Sequence, residues 1–554
     1  MIKIQGKGVS DGVVSGPLYI YRRAEHRVIR KRVSDTEAEW ARFQTASQVA
    51  IEQLGTLAEK AREEIGDESA LLFETHQMMI EDSEFTDKIK WWIFEDELAA
   101  ESALMETAIE IIDLFESIDN EYMRARVADY KDIVYRILCI LCGDEDVSID
   151  SEVPVILAGD EFSPSETMQL DKSKILGFVT TGGSSNSHTA ILARTLGIPA
   201  VIGAKDVLNT EYEGKEVYLD GETGEVIIDA DRQTAERMQR KMTDRQVMAE
   251  KLLALKGLPG ETKDGQSVLL YCNIGSEDEV KAVLENDGEG IGLFRSEFLY
   301  LQKEDYPTEE EQFAVYRAVA ERMAGKRVII RTLDIGADKQ ADYFELDPEE
   351  NPAMGLRAIR LCLTRPEVFR TQLRAVYRAS TYGRIAIMFP MITGLWEVRE
   401  CKRLCQEVRE ELKKEGIPFR EDVELGIMIE TPAAVMISDL LAPEVDFFSV
   451  GTNDLTQYML ACDRQCAGLE RFVDPHHRAV LRAIKMAADS AHREGKWIGI
   501  CGELAADPEL TDVFLAMGID ELSVAPGNVL PLRHAIREMD DPEVRLTNMY
   551  ERLK

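Results

Sequence analysis

The sequence predicts a multidomain α/β protein in which an α/β domain is interrupted by an inserted α-helical domain and followed by a C-terminal (β/α)8 TIM-type barrel. At 554 residues the chain is long enough for about three or four domain-sized units. Apolar residues between Ser34 and Cys142 recur at helical spacing, with short β-branched runs broken by Gly and Pro on either side. Beyond Leu258, eight apolar strand-like runs alternate with helical sequence, over a length that suits a (β/α)8 barrel of about 250 residues or more.

Lys3 to Tyr21 has strand texture, and the same texture returns in VPVILAGD, ILGFVTTGG, IPAVIGA and KEVYLDGETGEVIID. The α/β domain is therefore expected over 1–22 and 144–230. The insertion is expected over 30–143, where Leu71, Leu72, Met78 and Met79, then Ala103, Leu104, Ile111 and Phe115, fall at helical intervals. Ser34 with Glu37 predicts a capping box, and Gly143 predicts a helix stop. A charged helical connector follows over 231–257. The barrel is expected over 258–554, from SVLLYCNI, GIGLFR, RVIIRTLD, RIAIMFPMI, VELGIMIE, VDFFSVG, WIGICGE and ELSVAPG.

Lys+Arg 65 against Asp+Glu 102 gives a net charge of -37, which disfavours nucleic acid and anionic membrane partners. Residues 33–143 hold 26 acids and 9 bases, so -17 of that charge lies on the helical insertion. The N-terminus lacks an apolar core of signal-peptide length and no uncharged apolar stretch reaches 18 residues, so a cytoplasmic protein is expected. Nine scattered cysteines then read as reduced thiols. Cys401 and Cys405 stand at i,i+4 without neighbouring ligand histidines, so a structural zinc site is not expected there.

Chemistry in a (β/α)8 barrel gathers where strands end. The residues at those ends are Arg295, Arg331, Asp334, Met388, Glu430, Asn453, Asp454, Cys501 and Gly502, with Arg357 and Arg464 in nearby loops. Arginines at the ends of buried strands point to a small, multiply anionic ligand, because guanidinium matches phosphate and carboxylate oxygens. The competing reading makes them ion-pair partners of Asp and Glu. Glu430 and Asp454 are hard oxygen donors suited to Mg2+, or else neutralise neighbouring arginines. Cys501 is either a rim thiol able to act as an acid or nucleophile, or a small core residue.

A second cluster runs Thr181 Gly182 Gly183 Ser184 Ser185 Asn186 Ser187 His188, then an amphipathic helical run. His188 thus stands at a helix start, either as a nucleophile whose added charge the first-turn N–H groups would stabilise, or as a helix cap. The other six histidines form no evident site; His76 is expected to pack against or border an exposed helical face. Met78, Met79 and Ile80 read as partly core, or as an adaptable docking surface.

Together these motifs resemble the enzyme I family of the bacterial phosphoenolpyruvate-dependent sugar phosphotransferase system. The resemblance spans practically the whole chain: FETHQMMIEDSEF and RARVADYKDI (with Arg126, Asp129 and Asp132) in the insertion; GLFRSEFLY, RTLDIGADK, EENPAMGLRAIR, MFPMI, IMIETPAA, DFFSVGTNDLTQY, Asp463-Arg464 and GKWIGICGELA in the barrel. It implies that His188, in a swivelling α/β domain, is phosphorylated by phosphoenolpyruvate. It further implies Arg295, Arg331, Asn453, Asp454 and Arg464 as substrate-site residues, with Lys339 and Arg357 bordering them. Glu430 and Asp454 would hold Mg2+, and Cys501 would protonate the enolpyruvate carbon. The implied partners are the phosphocarrier protein HPr, docking on the insertion, and a second copy of the chain through the barrel. Travel of His188 between sites would need hinges near 21–33, 143 and 230–258. The chain departs from the family at the loop before His188, where four residues follow Gly182-Gly183 and Asn186 stands in the usual Thr place. Two alternatives are weighed: a pyruvate, phosphate dikinase type of enzyme, for which no nucleotide-binding domain is evident, and a catalytically inactive regulatory relative.

Overall fold

The computed structural model describes residues 1–23, 28–64, 67–117, 121–143, 151–185, 187–301, 303–336, 341–347, 349–464, 466, 468–469 and 471–554. Within it, the segments flanking the helical region join in one eight-stranded sheet. Its strands are β1 (Ile2–Gln5), β2 (Lys7–Ser10), β3 (Val13–Ile20), β4 (Val155–Gly159), β5 (Ile175–Thr180), β6 (Ala200–Ile202), β7 (Glu216–Asp220) and β8 (Glu225–Ile228). They lie in the order β1-β8-β7-β3-β4-β5-β6-β2. β3 pairs in parallel with β4, Leu18 opposite Ile156, so residues from opposite ends of the insertion become neighbours. β4, VILAG, is buried at every position, which explains its unbroken apolar sequence: a central strand covered on both faces has no polar side.

The insertion supplies α1 (Thr36–Glu64), α2 (Asp67–Glu81), α3 (Ser83–Phe94), α4 (Ala100–Ser117) and α5 (Glu121–Cys142). Phe43, Leu54, Phe73, Ile89, Leu104 and Ile137 share its core, each contributing about 1.5–3 kcal/mol by leaving water. The same core takes in Met168 of α6 (Pro164–Gln169) and Leu192 of α7 (His188–Leu196). The helix that begins at His188 therefore packs on the insertion. Gly143 ends α5 with φ +75°, as its position predicts. The capping box does not form at Ser34. Asp35 Oδ1 accepts the Ala38 N–H at 3.0 Å and α1 starts at Thr36; a carboxylate at the cap also offsets the helix dipole.

His76 is another correction. It is fully buried, with Nε2 3.2 Å from Asp129 Oδ1 and Nδ1 3.6 Å from Asp132 Oδ2. Asp132 also accepts from Ser165 Oγ of α6 at 2.6 Å. Two acids at i,i+3 on α5 turn toward α2, a juxtaposition that the periodicity of α2 alone does not contain. Met79 and Ile80 are buried and Met78 is 59% exposed, so this trio divides between core and surface.

After α8 (Arg232–Leu253) come the eight barrel strands: β9 (Leu269–Ile274), β10 (Gly290–Arg295), β11 (Arg327–Arg331), β12 (Arg384–Phe389), β13 (Glu424–Ile429), β14 (Phe447–Val450), β15 (Trp497–Ile500) and β16 (Glu521–Val524). All neighbours run parallel, and β16 closes on β9. Each lies within the strand-like run that predicted it. Tyr271, Leu293, Ile329, Ala386, Met388, Met428 and Phe447 form one apolar cluster inside, the packed interior expected of this architecture. Met388, expected at a strand end, belongs to this filling. The chain divides into two compact units, Met1–Val247 and Met248–Lys554.

Candidate active site

At the C-terminal ends of the barrel strands lies a cavity of about 230 Å3, whose walls include Arg295, Arg331, Arg357, Arg464, Glu430 and Asp454. Asp334, Asn453, Cys501 and Gly502 also line it. Every barrel residue expected to bind substrate or metal therefore meets in one place. Arg295 and Arg331 are the last residues of β10 and β11, Glu430 follows β13, and Asn453 and Asp454 occupy the first turn of the helix Thr452–Leu460 after β14. Lys339 and Asn186 lie outside the described residues.

The arginines divide into two kinds. Arg331 is buried and paired with Glu297 and, at 2.9 Å, with Asp334 Oδ2. Arg357, also buried, meets Asp334 at 3.0 Å and Asp454 at 3.5 Å. Although burial opposes their charge, these carboxylates keep both guanidiniums firmly protonated. The ion-pair reading therefore holds for these two, without removing them from the cavity wall. Arg295 and Arg464 are exposed and make no salt bridge among the described residues, so their charge is available to a ligand. Glu297, fully buried, was missed in the sequence. Its place in GLFRSEF, two residues past Arg295, was the available signal.

Glu430 is buried. Its Oε1 accepts the Met391 N–H at 2.6 Å, while Oε2 has no hydrogen-bond partner among the described residues. Met391 holds a left-handed conformation, φ +57°, uncommon for a side chain of its size. That backbone carries the N–H that fixes the carboxylate. A Cβ at Gly451 would lie 2.5 Å from Glu430 Oε2, so glycine keeps the orphan oxygen accessible. Burial first, then repulsion from Asp454 and Asp334, pushes the Glu430 carboxyl well above the usual carboxylate range. Such a cluster suits a hard divalent cation, whose charge would offset the repulsion between these carboxylates. Among the described residues no three His, Cys, Asp or Glu side chains converge on one metal position, so two carboxylates would share the ion with other oxygens.

Cys501 is buried just beyond β15. Burial pushes its thiol up to about 12; Ser449 draws it down, while Glu430 and Glu521 add to the rise. A thiol that retains its proton is chemically an acid rather than a nucleophile. Asn453 is held by Glu503, its Nδ2 donating to Oε1 at 3.0 Å and its Oδ1 accepting the Glu503 N–H at 3.2 Å.

In the first unit, His188 is the opening residue of α7 and is exposed. Ser187 is the N-cap, its hydroxyl accepting from Ala190 N at 3.4 Å, and Gly197 closes the helix with φ +65°. The imidazole thus stands where first-turn N–H groups can receive an anion. Thr189, buried next to it, accepts from Phe162 N and donates to Phe162 O, anchoring the helix start.

Family models match along the chain: PEP-utilising enzyme, N-terminal, over residues 5–126; mobile domain, over 152–224; and PEP-binding domain, over 249–541. The phosphoenolpyruvate-protein phosphotransferase of Priestia megaterium is 43% identical over 544 residues, covering 98% of this chain and 95% of its own. That of Bacillus subtilis (strain 168) is also 43% identical, with the same coverage. A solution NMR structure of Enzyme I (nEIt) is 31% identical, covering 44% of this chain and 99% of its own at a TM-score of 0.39. The full-length similarity, together with a barrel cavity and a histidine-bearing mobile domain that fall inside the matched segments, shows that this chain belongs to the phosphoenolpyruvate-protein phosphotransferase family of PEP-utilising enzymes.

Proposed function

We propose that this chain transfers the phosphoryl group of phosphoenolpyruvate to His188, releasing pyruvate, and then passes it to the histidine of the phosphocarrier protein HPr, the entry step of phosphotransferase-system sugar uptake. The observation that carries this reading is the cavity in which the exposed Arg295 and Arg464, without a salt bridge among the described residues, stand on the same wall as the buried Cys501 thiol. Phosphoryl transfer needs charge stabilisation and alignment more than covalent help. Arg295, Arg331 and Arg464 bind the phosphate and carboxylate of the substrate; Asn453, Asp454 and Arg357 complete the wall. Glu430 and Asp454 would hold Mg2+, whose contribution when bound is to neutralise charge on the phosphoryl and enolate oxygens. His188 attacks in line, and Cys501 gives its proton to C3 of the departing enolate.

Because His188 and the arginines belong to different units of the chain, the α/β domain swivels between substrate and acceptor. Exposed Leu71 and Met78 on α2 and Ile109 on α4, in an insertion whose sequence carries a net charge of -17 over residues 33–143, support the insertion as the HPr surface. No helix among the described residues is long and apolar enough to cross a membrane. The reading includes a cytoplasmic homodimer joined through the barrel, as the family resemblance implies; sedimentation of the full chain would show a species of twice the chain mass.

The test is phosphorylation of HPr with phosphoenolpyruvate and Mg2+, with and without ATP. Transfer from phosphoenolpyruvate alone supports the proposal. Labelling that requires ATP would indicate a dikinase, and no labelling from either donor an inactive relative.

A further inference from the structure

Below the cavity, buried polar side chains enter the barrel interior from β9, β14 and β16. Glu521 opens β16 and is fully buried, yet neither carboxyl oxygen makes a hydrogen bond among the described residues. Glu521 pairs with Gly499 of β15, and Gly499 pairs with Ser449 of β14, so the three lie in one row. A Cβ at Gly499 would overlap Glu521 Oε2; one at Gly292 of β10 would overlap Ser523 Oγ and stand 2.6 Å from Glu521 Oε1. The two glycines thus leave the space that the carboxyl fills, and Oε2 crosses β15 in the direction of Ser449.

Cys501 lies two residues past Gly499, which places it on the same interior face, one step nearer the cavity. Ser449 Oγ, Ser523 Oγ and Asn273 Oδ1 are likewise buried without a hydrogen bond among the described residues. The Cys501 N–H donates to Val450 O at 3.1 Å and its thiol to the same oxygen at 3.7 Å, which sets the sulfur beside the residue that follows Ser449. Two strand spacings separate the backbones of Glu521 and Ser449 by about 9.6 Å, and the glutamate side chain crosses roughly half of that; the carboxyl and the hydroxyl make no hydrogen bond to each other, and the gap between them is of a size that one water bridges.

A buried carboxylate without donors is costly, whereas a neutral carboxyl is a proton source. Burial holds Glu521 well above the ordinary range. Arg327 of β11 opposes that shift and Asp520, next to Glu521, reinforces it; Tyr271 and Cys272 of β9 and Cys501 also feel its charge. Arg327 in turn stacks over Trp497 at 4.8 Å and pairs with Glu424 at 2.9 Å. The Glu424 side chain is 30% exposed, which brings solvent to the opposite end of this polar row.

We propose that Glu521 re-protonates Cys501 after each turnover, through the Ser449 hydroxyl. This rests on the reading of Cys501 as the acid. In the reaction the Cys501 S–H bond breaks and a C–H bond forms at C3 of the enolate, leaving a thiolate. Ser449 gives its proton to that sulfur and takes one from Glu521, whose carboxylate is stabilised by Arg327 until a solvent proton returns by way of the Arg327–Glu424 end. Glu521 touches neither substrate nor metal; it acts through Cys501.

The experiment compares first and later turnovers by chemical quench, mixing full-length enzyme with phosphoenolpyruvate, Mg2+ and excess HPr. Glu521→Gln is expected to release its first equivalent of pyruvate at the parent rate and to slow later turnovers by about tenfold or more. Ser449→Ala is expected to show the same split, and decides the matter if Glu521→Gln does not fold. Later turnovers at the parent rate, or first and later turnovers slowed alike, would overturn the relay. Cys501→Ala separates the two claims: its defect belongs in the first turnover, and a first turnover at the parent rate would remove the acid reading instead.

Discussion

The loop carrying His188 and the barrel cavity both lie beyond the C-terminal ends of parallel strands, yet they hold their functional groups in opposite ways. His188 is exposed at the start of a nine-residue helix whose anchoring falls to its neighbours Ser187 and Thr189. The cavity buries Glu430, Arg331 and Arg357 and ties the two arginines to carboxylates. On the proposed function the imidazole reaches two partners, and it gains from accessibility. A site that must stabilise transient charge gains from groups fixed before substrate arrives, because no energy is then lost in reorienting them.

This contrast can be broken most severely at the histidine. His188→Ala should abolish phosphoryl uptake, a loss on the order of 10^4-fold or more, while substrate binding to the barrel measured by calorimetry stays near the parent value. Arg331→Lys keeps the charge but loses the planar fork that meets Glu297 and Asp334 together. A fall in kcat/KM of about 10^2–10^3-fold is expected, read by pyruvate release; a change within twofold would mean that fixation by these carboxylates is unimportant.

The barrel interior predicts a pH effect. Burial holds the Glu521 carboxyl of the folded protein well above its usual range, whereas the unfolded chain loses that proton near pH 4.5. The unfolded state therefore binds fewer protons above that pH, and this group makes stability fall as pH rises toward its folded pKa. The fall begins above about pH 5, where the unfolded carboxyl is ionised, and Glu521→Gln should remove this slope in urea titrations carried upward from that pH. An unchanged slope would show that the carboxyl is ionised in the fold. The smallest effect concerns the insertion: with -17 over residues 33–143, HPr affinity should weaken several-fold, roughly, between low salt and 0.5 M salt, as titration calorimetry would register.

How much of this was legible varied with the range of the interaction involved. Each barrel strand was readable because a strand buried on both faces is continuously apolar, and its C-terminal boundary marked Arg295, Arg331 and Glu430 at once. The Ser34 cap was misplaced because Asp35, one residue on, competes for the same role and only local geometry decides. His76 was misread because its partners, Asp129 and Asp132, come from a helix about 50 residues away. Glu297 and the row from Glu521 to Ser449 depend on register between distant strands, which sequence spacing does not encode. Family resemblance supplied roles for His188 and Cys501 that spacing alone left open.

The most direct test of the account is to incubate the purified chain with phosphoenolpyruvate labelled in its phosphoryl group, with Mg2+, and to locate the label by peptide mapping. One equivalent of acid-labile, alkali-stable label on His188, lost to HPr when HPr is added, is the predicted result. Label on any other residue, or a wild-type yield from His188→Ala, would contradict it.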